Sequence, residues 1–259
     1  MASKAKADNQ QKTLNPRNEE EWSYRSSFFH SFIVERRSIM ADMNVEKMEL
    51  RKQIISAAKI YKENLAGRVF LYVYGDTYFE VAYMTECFKH LTGVESVLRG
   101  NSFYDNAKNA TLATTQIGFS SRHPLKTAKK KVRCLQQLPR LTNDLVCVVK
   151  DMHTITITYK IGITNLEFTV GLTEHLNPKG DKVSDWLIPR TLRINDKAID
   201  AAKDAEFIDF IFSKKVTETQ YDTICYADSE VTLPEAVKPL LNTSLLPTLG
   251  VQSDTPQPV

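Results

Sequence analysis

The sequence offers little that would place the protein in a membrane or around a structural metal. No apolar run among its 259 residues approaches the roughly 20 residues that a membrane-spanning helix needs. Residues 1–8 are polar and lack the apolar core of a secretion signal. The four cysteines form no CxxC pair, which argues against a zinc site and favours buried free thiols. We therefore expect a protein of a reducing cytoplasm, with no metal, no cofactor and no membrane contact.

The short motifs of common phosphate and hydrolase chemistry are also missing. The sequence contains no GxxxxGK[ST], no GxGxxG after a strand, no HExxH and no GxSxG. It has no cluster of Asp and Glu that would indicate a two-metal nuclease. If the protein cleaves a phosphodiester, a metal-free route through the 2′-hydroxyl of RNA fits best. Such a route needs an acid or base, cations that neutralise the pentavalent phosphate, and hydroxyl or amide donors.

What the sequence does contain is a change of hydrophobic period along the chain. Apolar residues from Val45 to Leu65 recur with the period of about 3.6 residues that is typical of a helix. From Arg68 the period becomes two, and Gly75-Asp76 marks a hairpin turn. Further strand-like runs follow up to residue 227, interrupted by a predicted loop from Thr173 to Ser184. The pattern predicts an α+β fold, with N-terminal helices followed by an antiparallel β-sheet.

The same patterns divide the chain into four parts. Residues 1–21 are polar, which predicts a disordered tail. Residues 22–44 are too apolar for a free tail, so we expect a helix docked on the domain or on a partner protein. Residues 45–227 form the predicted folded domain. Residues 228–259 contain five prolines, which predict a C-terminal tail with little fold of its own.

The first candidate for chemistry is His90, in the predicted turn Cys87–Gly93. Phe88 and Leu91 are three residues apart and would share one apolar face, so His90 would point to solvent or to a cleft. Histidine is the side chain best matched to proton transfer near neutral pH. A structural role explains the same position, because a histidine in the last turn of a helix can bond its free carbonyls. The sequence leaves both interpretations open.

A second candidate is the segment that opens the helix after Pro124. Backbone N–H groups at a helix start attract anions, and Ser121 and Arg122 would add to that attraction; His123 belongs to the same segment. Ordinary capping by a serine before the proline explains the segment equally well. One face of the helix carries five positive groups with no acid among them, and they are Lys126, Lys129, Lys130, Lys131 and Arg133. This face is either a solvated surface or a contact surface for a phosphate backbone.

Two strand segments supply the remaining candidates. Lys160 precedes a glycine that suggests a bulge or a close approach, although a solvated strand lysine is the simpler interpretation. In the later segment, Thr191 and Arg193 share one face of a regular strand, and Arg190 lies on the other. Both arginines can face one cleft only if a bulge at Pro189 re-aims Arg190.

Several short motifs, taken in order between Val45 and Ala227, resemble a family of phage-associated nucleases of the barnase, EndoU, colicin and RelE group, the BECR fold. They are Phe88-Lys89-His90-Leu91-Thr92-Gly93, Tyr159-Lys160-Ile161-Gly162, Leu187-Ile188-Pro189-Arg190-Thr191-Leu192-Arg193 and Phe207-Ile208-Asp209-Phe210-Ile211-Phe212-Ser213-Lys214. The resemblance implies a helical start followed by an antiparallel sheet, which agrees with the pattern above. It also implies a metal-independent ribonuclease-type site on the sheet face, and an origin in phage or prophage genomes.

The resemblance implies a role for four residues: His90 as acid or base, Lys160 and Arg190 as phosphate ligands, and Thr191 as a hydroxyl donor. We expect contacts with RNA or another nucleic acid from Arg122, His123, Lys126, Lys129, Lys130, Arg133, Arg193 and Lys214. The fold does not establish activity, so catalysis is left open. The alternative is a non-catalytic module of the same fold that binds nucleic acid or a host protein. Residues 22–44 and the C-terminal tail motivate it, because both resemble segments that dock on a host or phage partner.

Overall fold

The computed structural model describes residues 42–153, 158–194 and 203–250. The predicted disordered tail, residues 1–21, and nearly all of the predicted docking helix, residues 22–44, lie outside the described residues. The chain divides into two compact units, Met1–Met48 and Glu49–Val259. Of the first unit the structure describes residues 42–48, which are helical. Everything below concerns the second unit.

Helices precede and cover the sheet in the second unit. Helix α1 occupies residues 49–64 of this unit and, with Leu65 directly after it, buries one face of residues spaced three and four apart, as the sequence period predicts. That face consists of Leu50, Ile54, Ala57, Tyr61 and Leu65. The described residues contain three further α-helices, α2 (Cys87–Thr92), α3 (Gly100–Lys108) and α4 (Leu125–Gln136). The aromatic and aliphatic side chains on their inner faces form one continuous core with the sheet.

One sheet contains all the named strands of the described residues. The strands are β1 (Arg68–Tyr74), β2 (Thr77–Ala82), β3 (Cys147–His153), β4 (Thr158–Thr164), β5 (Phe168–Leu176), β6 (Lys182–Ile194), β7 (Lys203–Phe207), β8 (Phe210–Lys215) and β9 (Thr223–Ala227). Their order is β7-β3-β4-β5-β6-β2-β1-β8-β9. Neighbours are antiparallel except β2 and β6, which pair in parallel through Val81 and Leu187. The predicted α+β class is confirmed, with this one parallel pairing as an addition.

The predicted loop from Thr173 to Ser184 is wrong, because this stretch is the outer half of a long β5–β6 hairpin. Strand pairing continues to Leu176 and Lys182, and the turn occupies only residues 177–181. The side chain of Asn177 closes that turn by accepting hydrogen bonds from the backbone N–H groups of Lys179 and Asp181. Polar residues on both strands hide the alternating pattern, because this part of the hairpin has little core to face.

The two sides of the sheet bury two separate cores. Alternation along β1 sends Phe70 and Tyr72 to the larger core under the helices, and Val69 and Leu71 to a smaller core on the other side. Between residues 228 and 250 the chain forms short 3₁₀ turns and contributes three buried side chains to the smaller core. They are Leu233, Val237 and Leu241. Because these side chains are buried, residues 228–250 are part of the packed structure. Burying each of them stabilises the fold by about 1.5–3 kcal/mol. The domain boundary at residue 227 stays a prediction.

Candidate active site

Helix α2 is short, and aromatic packing fixes it on the sheet. Phe88 is fully buried, with its ring centroid 5.4 Å from that of Tyr61 and 5.5 Å from that of Tyr104, both edge-on. The helix ends at Gly93, whose positive φ of 70° suits glycine. Because Phe88 and its neighbour Leu91 fill the core, His90 is left on the exposed side of α2, as the spacing predicts.

A bulge in β6 brings Arg190 to His90. Gly171 pairs with Thr191 and Leu172 pairs with Pro189, so Arg190 has no opposite residue on β5. The extra residue re-aims its side chain, as predicted for a bulge at this position. Nη1 of Arg190 lies 3.2 Å from Nε2 of His90. A guanidinium only donates, so Nε2 accepts this hydrogen bond, and His90 is neutral with its proton on Nδ1.

The surroundings of His90 favour this neutral form. Loss of water around the ring, followed by the positive charges of Arg190, Lys89 and His123, lowers the pKa of His90 to about 4. Lys89 is fixed in place, because its Nζ donates to the carbonyl of Leu98 at 2.8 Å. The imidazole therefore offers an unprotonated nitrogen throughout the neutral pH range.

His123 reaches this region from a closed turn before α4. The backbone N–H of His123 donates to the carbonyl of Ser120 at 3.1 Å, and the N–H of Ser120 donates back to His123 at 3.2 Å. The hydroxyl of Ser120 donates to the carboxylate of Glu95 at 2.5 Å. Glu95 also pairs with Gly118 through the backbone. The turn is thus tied to the segment that directly follows α2.

Helix α4 carries an exposed row of cations, Lys126, Lys130 and Arg133, which we call the basic stripe. These residues are four and three apart, so they lie on one face, opposite the buried Ala128, Val132 and Leu135. Lys129, also predicted to bind nucleic acid, is half-buried and lies off the stripe.

The contact between α4 and α2 is close at Gly93. A Cβ on Gly93 would come within 2.6 Å of the side chain of Lys131, so the stem of Lys131 lies directly over the end of α2. This contact holds α4 against the end of α2, and His90 lies in the last turn of that helix. Arg122 is exposed next to His123, at the start of the basic stripe.

Lys160 lies at a separate feature, a cavity of about 240 Å³ lined by strands β4, β5 and β6. Ile161, Leu172 and Glu174 line it as well. Leu172 belongs to the larger core, which Phe88 of α2 also fills, so the cavity borders that core. The charges that act on His90 are those of Arg190, Lys89 and His123, and Lys160 is not one of them. The structure therefore does not bring Lys160 into direct contact with the histidine.

Two further predicted residues, Thr191 and Arg193, lie elsewhere. The side chain of Thr191 lies on the side of the sheet away from the larger core. There its methyl group would be 2.9 Å from a Cβ on Gly171. Arg193 follows Thr191 at strand spacing and shares its side, whereas Leu192 between them fills the larger core.

Lys214 is the clearest departure from the predictions for nucleic-acid contact. It is 8 % exposed, and its Nζ donates to the carbonyl of Thr219 at 3.2 Å and lies 3.7 Å from the carboxylate of Glu80. Alternation on β8 turns this lysine inward, where Glu80 compensates its charge, and its contact with nucleic acid stays a prediction.

Sequence reasoning missed a polar cluster at the other end of α2. Nδ1 of the buried His175 lies 3.0 Å from Oγ of Ser184, and Nε2 lies 3.9 Å from the carboxylate of Glu86. His175 and Ser184 fall in the stretch that was predicted to be a loop, so their strand pairing was not visible. The sequence signal that could have indicated this cluster was Glu86, an acidic residue one helical turn before His90.

No group of three or more His, Cys, Asp and Glu side chains in the described part of the chain is placed to hold a metal ion. None of the helices within it is long and apolar enough to cross a membrane.

The site thus consists of a neutral histidine among cations, held beside the sheet of an α+β fold. The chain belongs to the family described as phage-Barnase-EndoU-ColicinE5/D-RelE like nuclease 4, which matches residues 53–230, well over half of its length. Comparisons with curated proteins and with solved structures gave no match. The resemblance noted in the sequence is thereby confirmed, and the family indicates nucleic acid as the class of substrate.

Proposed function

We propose that this protein is a metal-independent endoribonuclease of phage or prophage origin that cleaves RNA in the cytoplasm of the bacterial host. The observation that carries the proposal is the 3.2 Å contact between Arg190 and the unprotonated Nε2 of His90. This contact places a proton acceptor, the imidazole of His90, beside a guanidinium that can bind phosphate. Both side chains are exposed. A cluster of cations attracts a phosphodiester and repels a metal ion, which supports the metal-free route.

Arg190 is the ligand for the scissile phosphate in this proposal. Its guanidinium presents a planar fork of donors that matches two phosphate oxygens. When these oxygens take the donors of Arg190, Nε2 of His90 loses its hydrogen-bond partner and is free to act. The fork then stabilises the extra negative charge of the pentavalent phosphate.

His90 is the general base that removes the proton of the 2′-hydroxyl. A base with a pKa of about 4 is weak at neutral pH, because a base works best when its pKa is near the working pH. A bound phosphate adds negative charge beside the ring and offsets the charge of Arg190. The pKa of His90 therefore rises when substrate binds, and the base becomes stronger only in the complex.

The remaining cations supply the path of the RNA chain. Arg122 and the basic stripe lie along one exposed face that begins next to His123. Lys160 is a candidate for a neighbouring phosphate or base, because it lines the cavity beside the core that α2 covers. The partner protein expected for residues 22–44 stays a prediction.

The test uses the purified full chain with a single-stranded RNA and a DNA of the same sequence, both in EDTA. We expect cleavage of the RNA to fragments with a 2′,3′-cyclic phosphate and no cleavage of the DNA, which lacks the nucleophile. His90→Ala should lower the rate by about 10²–10⁴-fold, the usual share of one acid–base group. Lys62→Ala, an exposed lysine of α1, is the matched control and should change nothing.

Two results would contradict the proposal. RNA binding without any cleavage by a folded sample would favour the non-catalytic module of the same fold. Cleavage that appears only after a divalent metal is added, or that includes the DNA, would show that the 2′-hydroxyl route is not used.

A further inference from the structure

The cavity lined by β4, β5 and β6 has no ligand assigned to it in the reaction proposed above. Its volume is about 240 Å³. Sites for drug-sized ligands have volumes of about 300–1,000 Å³, so this cavity is suited to one flat ring and not to a whole nucleotide. The side chains around it decide which kind of ring fits.

Three aliphatic side chains make much of the lining apolar. Leu172 is buried in the larger core, and Ile161 and Leu187 are half-buried and pack against that core. A planar ring that enters the cavity therefore meets apolar groups and loses its contact with water. Nucleobases that are turned out of a single strand are held by apolar contacts of this kind.

Two side chains of opposite charge also line the cavity. Lys160 and Glu174 are both exposed. Within the described part of the chain, the charged ends of these two residues form no ion pair and no hydrogen bond. Lys182 on the same hairpin, in contrast, is paired with Asp185 at 2.7 Å. The cavity thus offers a charged donor and a charged acceptor to the edge of a ring.

The cavity lies close to the contact between His90 and Arg190. Leu172 faces the larger core, on the side of the sheet that α2 covers, and Arg190 reaches His90 of α2 on that side. Leu172 pairs with Pro189, the residue before Arg190. The Cα atoms of Leu172 and Arg190 are therefore within about 10 Å of each other. A nucleotide whose phosphate binds Arg190 is close enough to place its base in the cavity.

The four RNA bases differ in the donors and acceptors along the edge that pairs with another base. Cytosine, adenine and guanine carry an amino group at one end of this edge and an acceptor farther along it. A carboxylate and an ammonium can then each bind a partner. Uracil has one N–H between two carbonyl oxygens. A carboxylate that accepts from this N–H lies close to both oxygens and is repelled by them.

We propose that this cavity binds the base next to the cleaved phosphate and selects bases that carry an amino group over uracil; the inference rests on the ribonuclease function proposed above. The carboxylate of Glu174 accepts from the amino group, and the ammonium of Lys160 donates to a ring nitrogen or carbonyl oxygen. Leu172 and Leu187 contact the ring. Lys160 thereby binds a base and not the cleaved phosphate, which agrees with its absence from the charges that act on His90.

Cytidine and uridine test this proposal, because their bases have nearly the same size and differ in the pattern of this edge. The ligands are a trinucleotide of each, with a 2′-O-methyl group on every ribose, so neither can be cleaved. NMR titration of the purified full chain gives the affinities, and the amide signals of Ile161, Leu172 and Glu174 report binding in the cavity. We expect the cytidine ligand to bind at least about fivefold more tightly, the lower end for one well-placed base contact.

Two variants of exposed residues assign this preference to the cavity. Glu174→Gln removes the negative charge and keeps the shape, and its amide can donate to a uracil oxygen, so the two affinities should come within about twofold of each other. Lys160→Met removes the donor and should weaken binding of the cytidine ligand by about fivefold. The matched controls are Glu63→Gln and Lys62→Met, two exposed positions of α1, which should change neither affinity.

Three results would overturn this inference alone: equal affinities for the two ligands, a preference for cytidine that survives Glu174→Gln, or binding that leaves the three amide signals unchanged. Cleavage of RNA at His90 needs no choice of base, so the ribonuclease function is judged separately, by the cleavage test above. A preference for cytidine in a chain that cleaves no RNA would keep the base site and favour the non-catalytic module. If the chain binds neither ligand, the base site falls.

Discussion

Lys214 and Arg190 each lie against the ring of a titratable side chain, and the surroundings of the two cations differ. Nζ of Lys214 is 4.5 Å above the ring of Tyr221, donates to a backbone carbonyl and lies 3.7 Å from the carboxylate of Glu80. The hydroxyl of Tyr221 donates to the same carboxylate at 2.5 Å. Every charge in this cluster has an opposite charge or a hydrogen bond beside it, and the cluster is closed to solvent on most sides.

Arg190 has a different kind of partner. The described residues give it the neutral ring of His90 and not a carboxylate. Lys89 and His123 add positive charge to the same place. Uncompensated like charges cost stability, and folds keep them where a ligand of opposite charge binds. The comparison teaches that charge compensation, and not the mere presence of a basic residue, separates a structural cluster from a functional site.

The strongest test of this difference between the two clusters is the removal of the Arg190 side chain. Arg190→Ala should lower RNA cleavage by about 10²–10³-fold, the usual cost of losing one donor to the transition state. The free energy of unfolding at pH 7 should change by less than about 0.5 kcal/mol, because Arg190 is exposed. Steady-state kinetics and denaturant unfolding measure the two effects. A large loss of stability with normal cleavage would reverse the roles assigned here.

The same variant has a pH signature. The pKa of His90 in the folded protein, about 4, is below its ordinary value of 6.5. Between these pH values the unfolded chain binds more protons, so the contribution of His90 makes the protein more stable as pH rises through this window. Arg190→Ala should raise the pKa of His90 part of the way to 6.5 and weaken this dependence. Proton NMR of the His90 ring follows the titration; an unchanged pKa would show that Arg190 does not act on it.

The second prediction concerns the compensated cluster. Lys214→Met keeps the length of the side chain but leaves Glu80 without its cation, which should lower the free energy of unfolding by about 1–3 kcal/mol. Cleavage per folded molecule should not change. Lys215→Met, its exposed neighbour on β8, is the control and should be close to neutral. A loss of nucleic-acid affinity in the folded Lys214 variant would restore Lys214 as a binding residue.

The smallest expected effect is that of the basic stripe. Reversal of Lys126, Lys130 and Arg133 to Glu leaves the buried face of α4 intact. If each cation meets one phosphate of a single strand, the slope of log affinity against log salt should fall by about 0.7 per contact, or about 2 in total. Fluorescence anisotropy with a labelled RNA at several salt concentrations measures the slope. Curves that coincide with those of the unaltered chain would show the stripe to be only a solvated face.

Much of the fold was predictable, because local rules govern it. The period of about 3.6 residues located α1, alternation located the strands of the first hairpin, and Gly93 located the end of α2. His90 was predictable as an exposed histidine, since Phe88 and Leu91 on the same short helix must face the core. Patterns of this kind depend only on neighbours within a few residues.

The sequence by itself thus determined the class of fold, the exposed side of α2 and the basic face of α4. Only the tertiary structure decided which distant residues meet. Arg190 comes 3.2 Å from His90, a hundred residues earlier in the chain, because a bulge in β6 re-aims it. The turn that carries His123 is tied to Glu95, whereas Lys214 is turned inward to Glu80. A cation on a strand has the same sequence signature in either place. The two positions differ in the charge of the neighbouring residues that strand pairing and packing bring beside the cation.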